Sequence, residues 1–193
     1  MTGSITSGNF TFTPTGIDGL TVVDVKSYGD ERGYFVETYK KPDFEAGGIT
    51  CDFVQDNQSS SAKGVLRGLH FQIEHPQAKL VRVIRGEVFD VAVDLRPGSP
   101  TCGKWAGEVL SAANHRQFFI PRGFAHGFLV LSDGAEFCYK CDDVYRPGDE
   151  GGIMWNDPAI AIDWPALNGD EAFDPAKIIL SEKDKKHPPF KSL

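Results

Sequence analysis

The sequence lacks several features that would place it in a large class of proteins. It has no run of about 18 or more apolar residues, so no membrane-spanning helix is predicted. Its first residues, MTGSITSGNFTFTP, contain neither a basic nor an apolar signal-peptide region. Basic residues are in deficit, with 20 Lys and Arg against 27 Asp and Glu and a net charge of −7. We therefore expect a cytoplasmic protein that binds neither nucleic acid nor an anionic membrane as its main partner.

Cysteine is also scarce, and its four positions do not suggest a metal site or a disulfide framework. Cys138 and Cys141 form the one C-x-x-C pair, but residues three apart on a strand face opposite sides. We interpret both as buried thiols in a reducing compartment. A G-x-G-x-x-G stretch is missing too, so the sequence offers no nicotinamide-binding loop.

What is present is typical of a single all-β domain. The 193 residues are 40% hydrophobic and include 21 Gly, 12 Pro and 14 Phe. Short apolar runs alternate with Gly- and Pro-rich turns, while helical periodicity is rare. We predict one jelly-roll β-barrel domain over residues 1–193, with a few short helices and residues 1–15 as an N-terminal extension.

The stretch from Gly64 to Arg96 is the centre of the prediction. From Val81 to Leu95 the apolar residues recur with period two, which indicates two strands. Arg85-Gly86-Glu87 is interpreted as the turn of a stiff hairpin between them. Elsewhere, a one-turn helix is predicted at 42–46, a polar loop at Ser59-Ser60-Ser61 and a short helix at 181–186.

Two spacings in the sequence resemble the half-motifs of the cupin superfamily, a small β-barrel that often binds a metal through three His and a Glu. They are Gly64-x5-His70 and Pro121-x-Gly123-x-x-His126. The second His of the first half is replaced by Gln72, and the Glu expected after it is missing. Since two imidazoles alone make a poor metal site, we expect a cupin-like fold without metal.

Without a metal, His70 is the natural general base, because imidazole changes charge near neutral pH. The alternative is a hydrogen-bonded core His. Arg67 and Lys79 lie close in sequence and favour a functional site, although Arg67 and His70 would face opposite sides of a regular strand. A bulge at Gly68 would resolve that difficulty.

Other candidates have a structural and a functional interpretation that the pattern leaves open. Lys79 is either a surface charge or a cation for a developing oxyanion. Tyr139 is either a half-buried strand residue or a general acid. Asp184 either caps a helix that begins after Ser181 or orients His70. Arg32 is either a turn charge or, like Arg67, a phosphate ligand.

Longer motifs resemble one family closely. They are GDERGYFVETY, FVQDNQS, VLRGLHFQ, QAKLVRVIRGEVFDVAVDLRPGSPTCGKW, IPRGFAHGFLVLSDGAEFCYK and GIMWNDPAIAIDWP, followed by LSEKD. Together they resemble the dTDP-4-dehydrorhamnose 3,5-epimerase family in the same order, from about Gly16 to Pro188.

The resemblance implies inversion of C3 and C5 of dTDP-4-dehydro-6-deoxyglucose, giving dTDP-4-dehydro-rhamnose for dTDP-rhamnose biosynthesis, without cofactor or metal. It implies a base (His70), a carboxylate paired with it (Asp184), an acid on the opposite face (Tyr139) and an enolate cation (Lys79). The implied substrate-binding residues are Arg67, Gln55, Asn57, His126, Tyr145 and Lys183. It further implies a homodimer that exchanges N-terminal strands, in which Tyr28, Arg32 and Glu37 reach the partner's site. His75, His115 and His187 are interpreted as loop residues without a role.

Three alternatives stay open from the sequence. One is a mono-epimerase that inverts only C3 or only C5 of a related deoxysugar for a secondary metabolite. The second is a metal-dependent cupin that uses His70 and His126. The third is a non-catalytic module that binds sugar nucleotides.

Overall fold

The computed structural model describes residues 3–167 and 169–192. Nearly all of its regular structure is β, in fourteen strands within that part of the chain: β1 (Ile5–Ser7), β2 (Phe10–Pro14), β3 (Thr21–Val25), β4 (Ser27–Asp30), β5 (Gly33–Val36), β6 (Gln55–Ala62), β7 (Leu66–Gln72), β8 (Lys79–Arg85), β9 (Glu87–Asp94), β10 (Trp105–Ser111), β11 (Gln117–Ile120), β12 (Phe124–Val130), β13 (Gly134–Cys141) and β14 (Glu150–Gly152). One α-helix, α1 (Lys41–Ala46), and three 3₁₀ turns (Pro175–Lys177, Asp184–Lys186, Phe190–Ser192) complete the described elements.

The strands form two antiparallel sheets that face each other as a jelly roll. The larger sheet has the order β1-β2-β3-β11-β8-β13-β6, and the smaller has the order β10-β9-β12-β7-β14. Strands β4 and β5 form a separate hairpin. The all-β, jelly-roll prediction is therefore confirmed. Within the described residues, no helix has both the length and the apolar character needed to cross a membrane.

The predicted hairpin at Gly86 is wrong, although both of its strands exist. Strand β8 pairs with β11 and β13 in the larger sheet, whereas β9 pairs with β10 and β12 in the smaller one. Gly86 therefore carries the chain from one sheet to the other. It has φ +78°, and a Cβ there would stand 2.0 Å from the carbonyl oxygen of Gly134. Only glycine fits such a close turn.

The change of sheet also changes which side chains face inward. On β8 the odd positions Val81 and Val83 enter the core between the sheets, whereas on β9 the even positions Val88 and Ala92 do so. The odd positions of β9 pack on the other side, under the segment that follows β14. Five of the eight residues of β9 are apolar and they occur on both faces, as expected for a strand that is buried on both sides.

The short elements are partly as predicted. Helix α1 confirms the predicted turn of helix and buries Phe44 against Phe10 and Phe12. The predicted loop at 59–61 is wrong, because these serines continue β6, where they pair with β13. The predicted helix at 181–186 is reduced to a 3₁₀ turn at Asp184–Lys186.

The N-terminal residues that are described pair within their own chain. Strand β1 pairs with β2, and β2 pairs with β3 at the edge of the larger sheet. The β4–β5 hairpin follows β3 in the chain and exposes Tyr34 (62%) and Phe35 (67%). The large exposed aromatic side chains make this hairpin a candidate contact surface.

Candidate active site

A cavity of about 430 Å³ opens between the two sheets and is lined by most of the predicted catalytic and binding residues. Its lining includes His70 from β7 in the smaller sheet and Lys79 and Tyr139 from β8 and β13 in the larger sheet. His70 and Tyr139 therefore belong to opposing walls. A ligand between the walls would have ionisable groups on both of its faces.

His70 is hydrogen-bonded to a carboxylate beside the cavity. Its Nε2 lies 2.6 Å from Oδ1 of Asp184, which is buried. Burial alone would raise the pKa of Asp184, but its hydrogen bond to His70 and the charge of that ring hold the pKa below its usual value. An ionised Asp184 fixes the proton of neutral His70 on Nε2, which leaves Nδ1 as the free acceptor. Nδ1 lies 3.9 Å from Oε1 of Glu150, another residue of the cavity wall.

The backbone around Gly68 explains how His70 reaches this position. Opposite β12, the register shifts so that four residues of β7, from Arg67 to His70, lie opposite three residues of β12, from His126 to Phe128. Gly68 has φ +118° there, and a Cβ would stand 2.7 Å from the β12 backbone. The bulge predicted at Gly68 is therefore present, and it places Arg67 and His70 on the same side.

Arg67 lies beside the cavity rather than in its wall. With His70 and Asp184 it lines a neighbouring surface cleft of about 420 Å³. Its Nε donates to the hydroxyl of Ser61 at 2.9 Å. Its charge nevertheless acts on Tyr139, whose pKa is raised by burial and partly restored by Arg67. Tyr139 thus keeps its phenolic proton at neutral pH and remains able to donate it.

Lys79 supplies a buried positive charge next to Tyr139. Its Nζ lies 5.9 Å from the centre of the Tyr139 ring. Burial lowers the pKa of Lys79, while the carboxylates of Asp90 and Glu150 oppose that change. An ammonium held in such surroundings is weakly hydrated and interacts strongly with a nearby anion.

His126 and Asp90 form a buried pair near Lys79, and this differs from the substrate contact predicted for His126. His126, predicted to contact substrate, is 8% exposed, and its Nε2 lies 2.9 Å from Oδ2 of Asp90. Burial raises the pKa of Asp90, whereas His126 and Lys79 lower it. His126 and Lys79 share a small void of about 10 Å³, so His126 supports the floor of the site rather than lining the main cavity.

The remaining predicted residues of this wall form a polar rim. The amide of Gln55 donates to Asn57 at 3.0 Å, and its oxygen accepts from the backbone of Tyr145 at 2.8 Å. The hydroxyl of Tyr145 donates to Glu150 at 3.0 Å, and Lys183 forms an ion pair with the same carboxylate. The rim thus combines amide, phenol and ammonium groups suited to a base and a diphosphate.

Besides Arg67, Asp184 and His126, three further predicted residues do not line this cavity: Tyr28, Arg32 and Glu37. Tyr28 donates to the side chain of Asn9 at 2.7 Å, and Glu37 accepts from the same side chain at 3.1 Å. Arg32 forms an exposed ion pair with Asp30 at the tip of the hairpin. Within one chain these residues do not meet His70, so their contribution to a partner's site stays a prediction.

The residues do not fit a cupin-type metal centre. Such a centre would need His70 and His126 to converge, but each imidazole has Nε2 on a separate carboxylate. The amide of Gln72, at the position of the usual second His, donates to the backbone of His75 and accepts from that of Arg146. Gln72 therefore holds two loops in place and offers no ligand.

Three residues of the site were missed by the sequence analysis: Asp90, Glu150 and His187. Asp90 stands among apolar residues of β9, where a lone carboxylate in a buried strand is itself a signal of a polar partner. Glu150 lies in a turn-rich stretch with no pattern. His187, interpreted as a loop residue, is 9% exposed at its side chain and lies 3.4 Å from Asp184. Burial lowers the pKa of His187.

Comparison with known proteins agrees with this geometry. Residues 14–192 match the protein family described as dTDP-4-dehydrorhamnose 3,5-epimerase. The chain is 53% identical over 182 residues to the enzyme of that name from Methanothermobacter thermautotrophicus, covering 94% of this chain and 95% of the relative. It is 53% identical over 175 residues to the enzyme of the same name from Pseudomonas aeruginosa, covering 90% and 92%. It is also similar to the crystal structure of dTDP-6-deoxy-D-glucose-3,5-epimerase from Legionella pneumophila in complex with dTDP-4-keto-L-rhamnose, with a TM-score of 0.87, 51% identity and coverage of 94% and 93%.

Proposed function

The chain belongs to the dTDP-4-dehydrorhamnose 3,5-epimerase family, and we propose that its reaction is carried by His70, Asp184, Lys79 and Tyr139. The protein is a carbohydrate epimerase of a dTDP-4-keto-6-deoxy sugar in dTDP-rhamnose biosynthesis. It inverts C3 and C5 of dTDP-4-dehydro-6-deoxyglucose. The observation that carries the assignment of residues is the placement of His70 and Tyr139 on opposing walls of one cavity.

His70 is the base of the proposed mechanism. The C4 ketone acidifies the hydrogens on C3 and C5, so a neutral imidazole can remove one of them and leave an enolate. The Nδ1 lone pair accepts this proton, while Nε2–H continues to donate to Asp184. Asp184 stabilises the imidazolium that results, because its carboxylate is buried and already paired.

Lys79 stabilises the enolate oxygen. Its ammonium projects into the same cavity, and the low dielectric that lowers its pKa also strengthens its attraction for an oxyanion. The carboxylates of Asp90 and Glu150 oppose the lowering of the Lys79 pKa and so favour the ammonium form. The electrostatic stabilisation therefore comes from the chain itself.

Tyr139 returns a proton from the other face. Inversion requires that the proton reach the carbon from the side opposite the base, and β13 stands opposite β7 across the cavity. The raised pKa of Tyr139, caused by its burial, keeps the phenol protonated and ready to donate. Before the second inversion, the phenolate of Tyr139 takes up a proton from solvent and the imidazolium of His70 releases its proton to solvent.

Deuterium exchange tests the assignment. In deuterated water, the wild type should introduce deuterium at both C3 and C5 of the dTDP-4-keto sugar, as followed by ¹H NMR. The variant His70→Ala should introduce it at neither carbon while retaining nucleotide binding. Exchange at only one carbon in the wild type would favour the mono-epimerase alternative. Undiminished exchange in His70→Ala would remove His70 from its proposed role.

A homodimer is supported by the exposed β4–β5 hairpin. The hairpin presents Tyr28, Tyr34 and Phe35 to solvent, and Arg32 stands at its tip. If this hairpin completes the partner's cavity, mixing inactive His70→Ala and Arg32→Ala chains should restore about a quarter of wild-type activity, because about half of the dimers are mixed and each has one intact site. Absence of restoration after exchange of subunits, checked by sedimentation, would contradict the shared site.

A cytoplasmic location is supported by the cysteines. All four lie in the described part of the chain and are free thiols, as is common in a reducing compartment. Cell fractionation followed by thiol labelling would test this, and recovery of oxidised protein from the cell envelope would contradict it.

A further inference from the structure

The side chain of His187 is closely packed beside the catalytic residues, although the proposed mechanism gives it no role. Its ring packs over Gly152, where a Cβ would stand 2.3 Å from the imidazole, and its centre lies 5.3 Å from that of His70. The side chain is 9% exposed. Its Nε2 is buried and has no hydrogen-bond partner in the described part of the chain. A buried imidazole nitrogen that is not held by a hydrogen bond is free to act as a ligand.

The unpartnered nitrogen faces the catalytic pair. Nε2 of His187 lies 3.4 Å from Oδ1 of Asp184, which lies 2.6 Å from Nε2 of His70. These donor atoms all lie within 4.8 Å of one another, and they form the one such group of His, Cys, Asp or Glu among the residues that the structure describes. Tetrahedral Zn²⁺ at about 2.0 to 2.1 Å from its ligands holds them about 3.3 Å apart. Small side-chain movements would therefore enclose an ion.

We propose that His70, Asp184 and His187 form an inhibitory site for a divalent transition metal of the Zn²⁺ class. Two imidazoles and one carboxylate are a ligand set that Zn²⁺ accepts, with a fourth position left for water. The ion is not a cofactor of turnover, because it occupies the nitrogen that the base uses to bond Asp184.

Access to the site comes from outside the substrate cavity. The surface cleft of about 420 Å³ is lined by His70 and Asp184 and also by Lys183. An ion entering there need not displace the sugar. Inhibition is therefore expected to persist at saturating substrate.

The chemical consequence follows from the tautomer of His70. Coordination takes the lone pair of Nε2, so the single proton of the neutral ring moves to Nδ1. That nitrogen is the one that would accept the substrate proton in the proposed function, on which this consequence rests. The metal thus blocks the base without any change of oxidation state, and a chelator restores it.

The test compares wild type with His187→Phe, which keeps a ring against Gly152 but cannot coordinate. Turnover is measured in buffers of fixed free Zn²⁺, each relative to the same protein without zinc. The zinc concentration for half-inhibition should rise by more than about tenfold in His187→Phe. His75→Phe is the matched control, because His75 also lies near a carboxylate, Asp149, but on the surface. Equal inhibition of His187→Phe and wild type would overturn the proposal.

Two measurements on the wild type remain decisive even if His187→Phe fails to fold. Competition with a chromophoric chelator, without substrate, should show one zinc per chain. In a ¹H–¹³C spectrum, zinc should shift the Cε1–H signals of two of the five imidazoles, and the His75 signal should stay in place. Binding that shifts only His75 or His115 would overturn the site, whatever the fate of the proposed reaction. Binding at His70 and His187 without loss of turnover would overturn the inhibition.

Discussion

Replacing Asp184 by Asn isolates the charge of this carboxylate from its shape. Asn can keep the contact to Ser181, whose hydroxyl accepts from the backbone N–H of residue 184 at 3.1 Å. It can also accept from Nε2–H of His70 through its amide oxygen. What it cannot supply is the negative charge that stabilises the His70 imidazolium after proton abstraction.

The size of this loss follows from the geometry. The N···O distance is 2.6 Å, and the delocalised charges of the two groups are centred about 4 Å apart. At an effective dielectric constant of about 20, the attraction between charges at that distance is about 4 kcal/mol. Since about 1.4 kcal/mol corresponds to a factor of ten in rate, we expect Asp184→Asn to lower kcat about a thousandfold.

The assay measures deuterium incorporation at C3 and C5 by NMR, and turnover is measured alongside it. Asp149→Asn is a matched control, because Asp149 likewise lies 3.1 Å from a His, the exposed His75, but outside the cavity, and the exchange rates of this variant should stay within about twofold of wild type. Thermal unfolding of both variants shows whether the fold is kept. Exchange by folded Asp184→Asn within about tenfold of wild type would refute the role given to this carboxylate.

Three further predictions concern the remaining charges and protons. Tyr139→Phe should lower the rate of inversion by about 10² to 10⁴ while exchange of substrate hydrogens with solvent continues, as separate NMR measurements of washout and epimerisation would show. Asp90→Asn should shift the basic limb of the kcat–pH profile to lower pH, because burial already lowers the pKa of Lys79 and Asp90 opposes it; an unchanged limb would contradict this. Asp94, buried and bonded to Arg96 at 2.8 Å, has a pKa below its usual value because its hydrogen bonds outweigh the effect of burial. The contribution of ionised Asp94 to the free energy of unfolding is therefore full above about pH 4 and falls as the pH drops toward the lowered pKa. Asp94→Asn should lower the free energy of unfolding, measured in urea, by about 3 kcal/mol at pH 7 and by less at pH 3. An equal loss at both pH values would refute the linkage.

The error at Gly86 shows what the period-two pattern leaves open. A hairpin and a crossover between two sheets use the same alternation and the same glycine turn, so local sequence predicts the strands but not their partners. The partners of β8 are β11 and β13, which come more than thirty residues later along the chain. Only the packing of the whole domain selects them.

The site shows the same division between local and distant information. The bulge at Gly68 could be predicted because Arg67 and His70 lie on one strand. The contact of His70 with Asp184 joins residues that are 114 positions apart, and only the family resemblance suggested it. The local interpretation of Asp184 as a cap was partly right as well, since its backbone N–H bonds Ser181 while its carboxylate is free to hold His70.

Asp90 shows why one charge of the site was hidden in the sequence. It is fully buried on a strand whose neighbours are apolar on both faces, so alternation gives no sign that it faces the space behind the cavity. Its burial becomes tolerable only because His126 bonds it and Lys79 lies close enough to stabilise its charge. Asp90 in turn opposes the lowering of the Lys79 pKa that burial causes. Asp90, His126 and Lys79 therefore stabilise one another in the core. The positive charge available to an enolate depends on all three groups and not on Lys79 alone.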